Sequence, residues 1–162
     1  MIGTEGYVTL EHLSSMKYLD MVVKEGLRVY PGIPMYAREL TADFEVDGFT
    51  LKKGTIAVIS TLAMQRCKDV WGPDADKFDP ERWTPEREEG RHPYSFLPFS
   101  AGARNCIGQK FALQNEKIMI AKILQKFRIE SVKDKIPSQM QVVLNPVGGV
   151  PMRIFHRDRE NM

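Results

Sequence analysis

The sequence predicts a mixed α+β fold. Three observations lead there. Two stretches, about Met16–Val29 and Ile107–Phe127, carry apolar residues at helical spacing. Short runs rich in β-branched and aromatic residues sit between turn residues and read as strands. Between these groups, Trp71–Pro98 holds five of the ten prolines and cannot stay regular for long.

The elements follow in order. Residues 1–14 form a short lead-in with one helical turn around Leu10–Leu13. Ser14 or Ser15 can cap the Met16–Val29 helix, where Leu19, Val22, Val23 and Leu27 share a face. Pro31 and Pro34 end it. Met35–Glu39, Phe44–Val46, Phe49–Leu51 and Thr55–Ser60 read as strands, with a hairpin signal at Asp47-Gly48 and a turn at Lys53-Gly54. A short helix is expected over Leu62–Cys67. Long irregular segments such as Trp71–Pro98 are uncommon in compact domains and often functional. After the second long helix, Arg128–Val132, Met140–Leu144 and Met152–His156 read as strands. A turn over Asn145–Gly149 joins the last two.

Composition narrows the function. Of 162 residues, 43% are hydrophobic and 27% charged, which excludes a disordered tail. A net charge of +2 gives no argument for nucleic acid. No apolar run reaches the roughly 18 residues of a spanning helix. The N-terminus has no basic and apolar signal pattern. Two cysteines, Cys67 and Cys106, are too few for a disulfide framework.

The chemistry concentrates in Phe99-Ser100-Ala101-Gly102-Ala103-Arg104-Asn105-Cys106-Ile107-Gly108. A glycine-containing loop delivers one cysteine to the start of a long helix. Helix N-termini carry partial positive charge and unpaired N–H groups, which favour thiolate over thiol. Gly108 leaves one side of the sulfur open to a flat, bulky group, and Arg104 sets a cation two residues before it. No second cysteine or histidine lies at zinc-finger spacing. A single accessible thiolate is what a haem iron takes as an axial ligand. A buried structural cysteine is the plainer alternative, and it is the reading for Cys67, which has no such surroundings.

This segment resembles the haem-binding signature of the cytochrome P450 monooxygenases: Phe, two residues, Gly, one, Arg, one, Cys, one, Gly. Five such positions match by chance on the order of once in several million windows. Two further matches follow the family's order. Glu25-Gly26-Leu27-Arg28 lies on the first helix, where residues three apart share a face. Phe78-Asp79-Pro80-Glu81-Arg82-Trp83 precedes the cysteine loop. The resemblance implies a buried network of Glu25, Arg28 and Arg82 that pins the segment before that loop. Gly26 departs from the family, which has Thr or Ser there; a mid-helix glycine costs about 1 kcal/mol against alanine.

The wording around Cys106, Phe96–Gly102 and then Asn105–Ala112, is most like family 4, and within it most like the insect members. The resemblance covers essentially all of residues 1–162 as one partial domain. It implies the C-terminal third of a mostly helical fold, without a separate second domain. It also implies haem b with Cys106 as the axial thiolate. Phe99 is expected to pack on the macrocycle, Gly108 to leave room for it, and Arg104 and Arg38 to meet its propionates. No other catalytic residue is assigned. The family's distal helix and membrane anchor are not recognisable here, so the chain reads as part of a longer protein and the isolated segment is expected to be inactive. The parent enzyme is expected to hydroxylate lipophilic substrates such as fatty acids or xenobiotics with O2 and NADPH-derived electrons. Its expected partners are NADPH–cytochrome P450 reductase and cytochrome b5, on the cytoplasmic face of the endoplasmic reticulum membrane. Gly32–Tyr36 and Pro146–Gly149 are the expected substrate-facing segments. A non-catalytic haem-binding module or an inactive remnant is the alternative.

Overall fold

In a computed structural model of the chain, residues 6–133 and 135–157 are described. Helix α1 is Leu10–Ser15 and helix α2 is Lys17–Val29. Thr9 caps α1: its hydroxyl accepts from the His12 amide at 3.3 Å, and His12 Nδ1 accepts from the Thr9 amide at 3.2 Å. This corrects the expected cap of α2. The Ser14 and Ser15 hydroxyls donate back to the Glu11 and His12 carbonyls at 2.7 Å, inside α1. Helix α2 starts instead at Met16, with no side-chain cap.

The inner face of α2 buries Val23, Glu25, Arg28 and Val29. Pro31 and Pro34, just past its end, are fully buried. Gly26 serves no close approach, because nothing lies within 4 Å of where its Cβ would be. Gly26→Ala should therefore stabilise the protein by about 0.5–1 kcal/mol through helix propensity alone. Thermal unfolding checks this, and a lower midpoint would show that the site is sterically constrained.

Among the described residues the strands pair two by two, in antiparallel ladders. Strand β1 is Tyr36–Glu39, β2 Phe44–Val46, β3 Phe49–Leu51 and β4 Ile56–Ile59. β1 pairs with β4 from Tyr36↔Ile59 to Glu39↔Ile56. β2 and β3 form a hairpin whose turn puts Asp47 at φ 48° and Gly48 at φ 80°, the paired positive φ of a type I′ turn.

The helix expected over Leu62–Cys67 is displaced and divided. Helix α3 is Thr61–Met64 and α4 is Lys68–Trp71. Cys67, at ψ 122°, leaves helical geometry and becomes the N-cap of α4. Three short elements then follow: a 3₁₀ turn at Pro80–Trp83, helix α5 at Pro85–Glu88 and a 3₁₀ turn at Pro93–Ser95. Each opens on a proline, whose missing N–H is an orphan at a helix start anyway.

Helix α6, Gln109–Lys126, runs into β5, Phe127–Ser131. β5 pairs with β8, Met152–His156. Between them, β6 (Ser138–Met140) and β7 (Leu144–Pro146) form a hairpin. The expected strand Met140–Leu144 is thus a turn, since those two residues face each other across it and the Gln141 amide donates to the Val143 carbonyl at 3.1 Å. The turn expected to start at Asn145 begins only after Pro146, with Gly148 and Gly149 at φ 75° and 80°.

The core is small and aromatic: Trp71, Ala75 and Trp83, with Met21 and Phe96 packed against them. The Trp71 and Trp83 rings lie 5.5 Å apart and Trp83 to Phe96 4.5 Å, both tilted. Asp20 of α2 pairs with Lys117 of α6. Partial burial pushes the Asp20 carboxyl up, but Lys117 and Lys24 outweigh that and hold it below the ordinary carboxylate range. Among the described residues, no helix is long and apolar enough to cross a membrane.

Candidate haem-thiolate site

The site is built on a buried polar centre. Glu25 and Arg28 both have fully buried side chains. Arg28 Nε and Nη2 donate to the two Glu25 oxygens at 2.8 Å each, a bidentate pair. The remaining guanidinium donors reach main-chain carbonyls of Gln65 (2.8 Å), Ala75 (2.7 Å) and Lys77 (3.0 Å). Glu25 also accepts from the Asp79 amide at 2.9 Å and from Trp83 Nε1 at 3.0 Å. Arg82 completes the centre. Its Nε lies 3.5 Å from Glu25, and its Nη atoms donate to the Trp71 and Asp74 carbonyls at 3.0 and 2.6 Å. The two arginines share the Glu25 carboxylate, Arg82 also pairs with the Asp74 carboxylate at 2.8 Å, and most of their other donors go to main-chain carbonyls, as buried charges require.

All of those carbonyls except that of Gln65 belong to the proline-rich segment. One helical pair and one arginine therefore hold residues 65–83 by their main chain, where no regular ladder would satisfy it. The Arg87 guanidinium, hydrogen-bonded at 2.7 Å to Asp79, holds that carboxyl below its ordinary range and ties α5 to the start of the Pro80–Trp83 turn. Arg91 adds a cation over the Trp71 ring at 4.4 Å and over the Trp83 ring at 5.2 Å.

The cysteine loop leaves this core at Phe96. Ser100 and Gly102 take positive φ, 62° and 78°. That reversal lets the Cys106 amide donate to the Phe99 carbonyl at 3.0 Å and closes the loop. Gly102–Arg104 forms a 3₁₀ turn. Cys106 is exposed and lies just before α6, where Gly108 is the N-cap. The helix thus begins two residues later than the Ile107 start read from the sequence. A Cβ on Gly108 would lie 3.8 Å from the Cys106 sulfur, so glycine keeps that flank of the sulfur clear.

The sulfur faces a cavity of about 400 Å³. Leu27, Ile33 and Phe99 give it apolar walls; Arg38 and Arg104 give it two cations. Arg38 Nη2 donates to Ser100 Oγ at 3.1 Å and to the Arg104 carbonyl at 3.3 Å. Strand β1 is thereby brought to the cysteine loop across 62 residues of sequence. Among the described residues, neither Arg38 nor Arg104 forms an ion pair. The donor set is therefore one exposed thiol, an apolar slot and two guanidiniums without carboxylates. It fits a flat, apolar, iron-centred macrocycle bearing acidic substituents.

The comparisons with known proteins agree with this geometry. Residues 1–151 match the family model for cytochrome P450. The chain belongs to the cytochrome P450 family. It is 46% identical over 156 residues to cytochrome P450 4V2 of Rattus norvegicus, covering 95% of this chain and 30% of that protein. It is 40% identical over 152 residues to cytochrome P450 4c3 of Drosophila melanogaster, covering 93% of this chain and 28% of that protein. Both are family 4 members. The haem domain of cytochrome P450DA superposes with a TM-score of 0.85 at 28% identity, over 94% of this chain and 34% of that one. The chain spans about 30% of the length of these P450 relatives.

The structure thus brings Phe99, Arg104, Cys106 and Arg38 to one cavity, with Gly108 beside the Cys106 sulfur. Glu25, Arg28 and Arg82 form a separate centre behind it. Cys67 is half-buried and away from the cavity lining. Sequence reasoning missed Gln65, Ser100 and Arg91. Ser100 carried a signal, a polar residue before an Ala-Gly turn; Gln65 carried none.

Proposed function

We propose that residues 1–162 are the haem-thiolate part of a monooxygenase that hydroxylates lipophilic substrates, fatty acids or xenobiotics. The observation that carries this reading is the exposed Cys106 at an apolar cavity edged by two guanidiniums that form no ion pair. Haem b, when bound, supplies the reductive activation of O2, with two electrons from NADPH, so that one oxygen atom enters a C–H bond and the other leaves as water. The chain's own residues hold and orient it. Cys106 would supply the thiolate that holds the iron, and the closed Phe99–Cys106 loop fixes where that donor points. Gly108 leaves the sulfur's flank clear. Arg38 and Arg104 would hold the propionate carboxylates by charge-assisted hydrogen bonds. Phe99, Leu27 and Ile33 supply apolar contact and exclude water.

Gly32–Tyr36 is the substrate-facing segment favoured by position, because Gly32, Ile33 and Tyr36 line the same cavity as Cys106. The Gly32 carbonyl also accepts the Leu144 amide at 3.0 Å, which draws the β6–β7 hairpin towards it. Electrons come through NADPH–cytochrome P450 reductase, with cytochrome b5 as a second donor. The setting is the cytoplasmic face of the endoplasmic reticulum membrane.

The test is reconstitution. The protein expressed from its complete reading frame, loaded with haem and given reductase, NADPH and a fatty-acid panel, should yield hydroxylated products. Residues 1–162 alone should not exceed a free-haem control, since they span about 30% of the length of the P450 relatives they match. No product from the complete protein would overturn the monooxygenase reading.

A further inference from the structure

Gln65 is fully buried, yet it is an uncharged polar residue in a short turn between α3 and α4. Every polar atom of its side chain is used, and the partners belong to different parts of the fold. Nε2 donates to the Leu27 and Arg28 carbonyls at 2.9 and 3.2 Å, at the last turn of α2. Oε1 accepts from the Leu97 amide at 3.0 Å. The Gln65 carbonyl accepts from Arg28 Nη1 at 2.8 Å. Leu97 is the residue from which the cysteine loop departs: its carbonyl accepts the Ser100 amide at 3.2 Å, and two residues later the Phe99 carbonyl accepts the Cys106 amide at 3.0 Å.

We infer that Gln65 is a positioning residue for the axial cysteine, tying the Leu97 end of the Cys106 loop to the Glu25–Arg28 centre. The inference rests on the haem-thiolate reading for its spectroscopic consequence and on the hydrogen bonds alone for its mechanical one. The tether works in both directions. The donor end satisfies carbonyls that α2 leaves unpaired at its C-terminus. The acceptor end fixes the backbone at Leu97, so that the loop starts from one position. Without it, the Leu97 amide and the α2 end would each lose a partner, and the main chain at the start of the loop would be held only by Phe96 packing on Trp83 and by Arg38 on Ser100. Leucine matches the size of glutamine and removes both functions. Histidine, as the neutral tautomer, keeps one donor and one acceptor on opposite ends of the ring.

The experiment compares wild type, Gln65→Leu and Gln65→His in the complete haem-loaded protein. The first readout is amide hydrogen exchange. In wild type, the Leu97 amide should exchange as slowly as the core of α2, and exchange as fast as exposed loop amides would overturn the tether outright, without any variant. In Gln65→Leu, peptides spanning residues 97–106 should exchange about tenfold faster, the change expected for one lost buried hydrogen bond, with α6 unchanged. Gln65→His should restore most of that protection. Equal acceleration in all peptides, or none, would make Gln65 an ordinary structural residue.

The second readout is the reduced, carbon monoxide-bound spectrum of the folded, haem-containing fraction. Gln65→Leu should move part of the Soret intensity from the thiolate band to a non-thiolate band, and Gln65→His should move less. A thiolate fraction equal to wild type in Gln65→Leu, at whatever yield, would overturn the positioning role. If wild type itself shows no thiolate band, the haem reading fails, while the exchange result still decides the tether.

Discussion

Cys106→Ser should abolish thiolate ligation, while Cys67→Ser should leave it intact. Cys106 presents an exposed sulfur to the cavity; Cys67 caps α4, half-buried, and lines no part of that cavity. A serine hydroxyl is far less acidic than a thiol and a poorer donor to iron. Neither the nearby start of α6 nor the two arginines can convert it, because such groups tune a thiolate and do not create one. The fold around it should survive, since the Cys106 amide, not its side chain, closes the loop onto Phe99. In the complete protein, the reduced, carbon monoxide-bound Soret band should keep its red-shifted thiolate position in wild type and Cys67→Ser. In Cys106→Ser it should vanish, leaving either no haem or a non-thiolate band. Hydroxylation should fall to the free-haem level. A thiolate band that persists in Cys106→Ser would remove the axial assignment altogether.

The residues legible in the sequence are those whose role follows from local spacing. Glu25 and Arg28 share a face because they are three apart on an amphipathic helix, and their pairing needs no knowledge of the rest of the chain. The Asp47-Gly48 hairpin is equally local, since its type I′ turn demands positive φ at both positions. The cysteine loop is legible because thiol, glycines and arginine are crowded within ten residues. Gln65 was not legible because all its side-chain partners are main-chain atoms 32 or more residues away, and a backbone carbonyl has no sequence identity. Arg91 is similar: its meaning lies in two tryptophan faces that meet only after folding. The misread strand at Met140–Leu144 has a different cause. Met-Gln-Val-Val-Leu has strand composition throughout and contains no glycine or proline to mark its turn, so only the register of β6 on β7 places the reversal. The cap of α2 failed for competition. Ser14 and Ser15 have the right chemistry, but a preceding helix claims both hydroxyls first.

Glu25→Ala should be among the most damaging single substitutions in the chain. The carboxylate is fully buried and accepts four hydrogen bonds, from Arg28 twice, the Asp79 amide and Trp83 Nε1. Its removal strands the Arg28 guanidinium, also fully buried, and leaves Arg82 with the partly exposed Asp74 as its carboxylate partner. Breaking one side of such a pair costs roughly 3–5 kcal/mol, against at most about 1 kcal/mol for a pair at the surface. That is a large share of the 5–15 kcal/mol that a typical domain holds in reserve. The damage should reach the cysteine loop, because Glu25 also anchors Asp79 and Trp83, and Trp83 packs on Phe96 at the entrance to that loop. Removing both partners should cost less than the sum of the single losses, since Glu25→Ala/Arg28→Ala leaves no stranded guanidinium at that position. Denaturant unfolding, folded yield and haem content of the complete protein measure these effects for the two single variants and the double. A Glu25→Ala protein with wild-type midpoint and haem content would show that the pair contributes no more than a surface contact. A double variant that loses the full sum would show that Glu25 and Arg28 act independently, against the bidentate geometry that joins them.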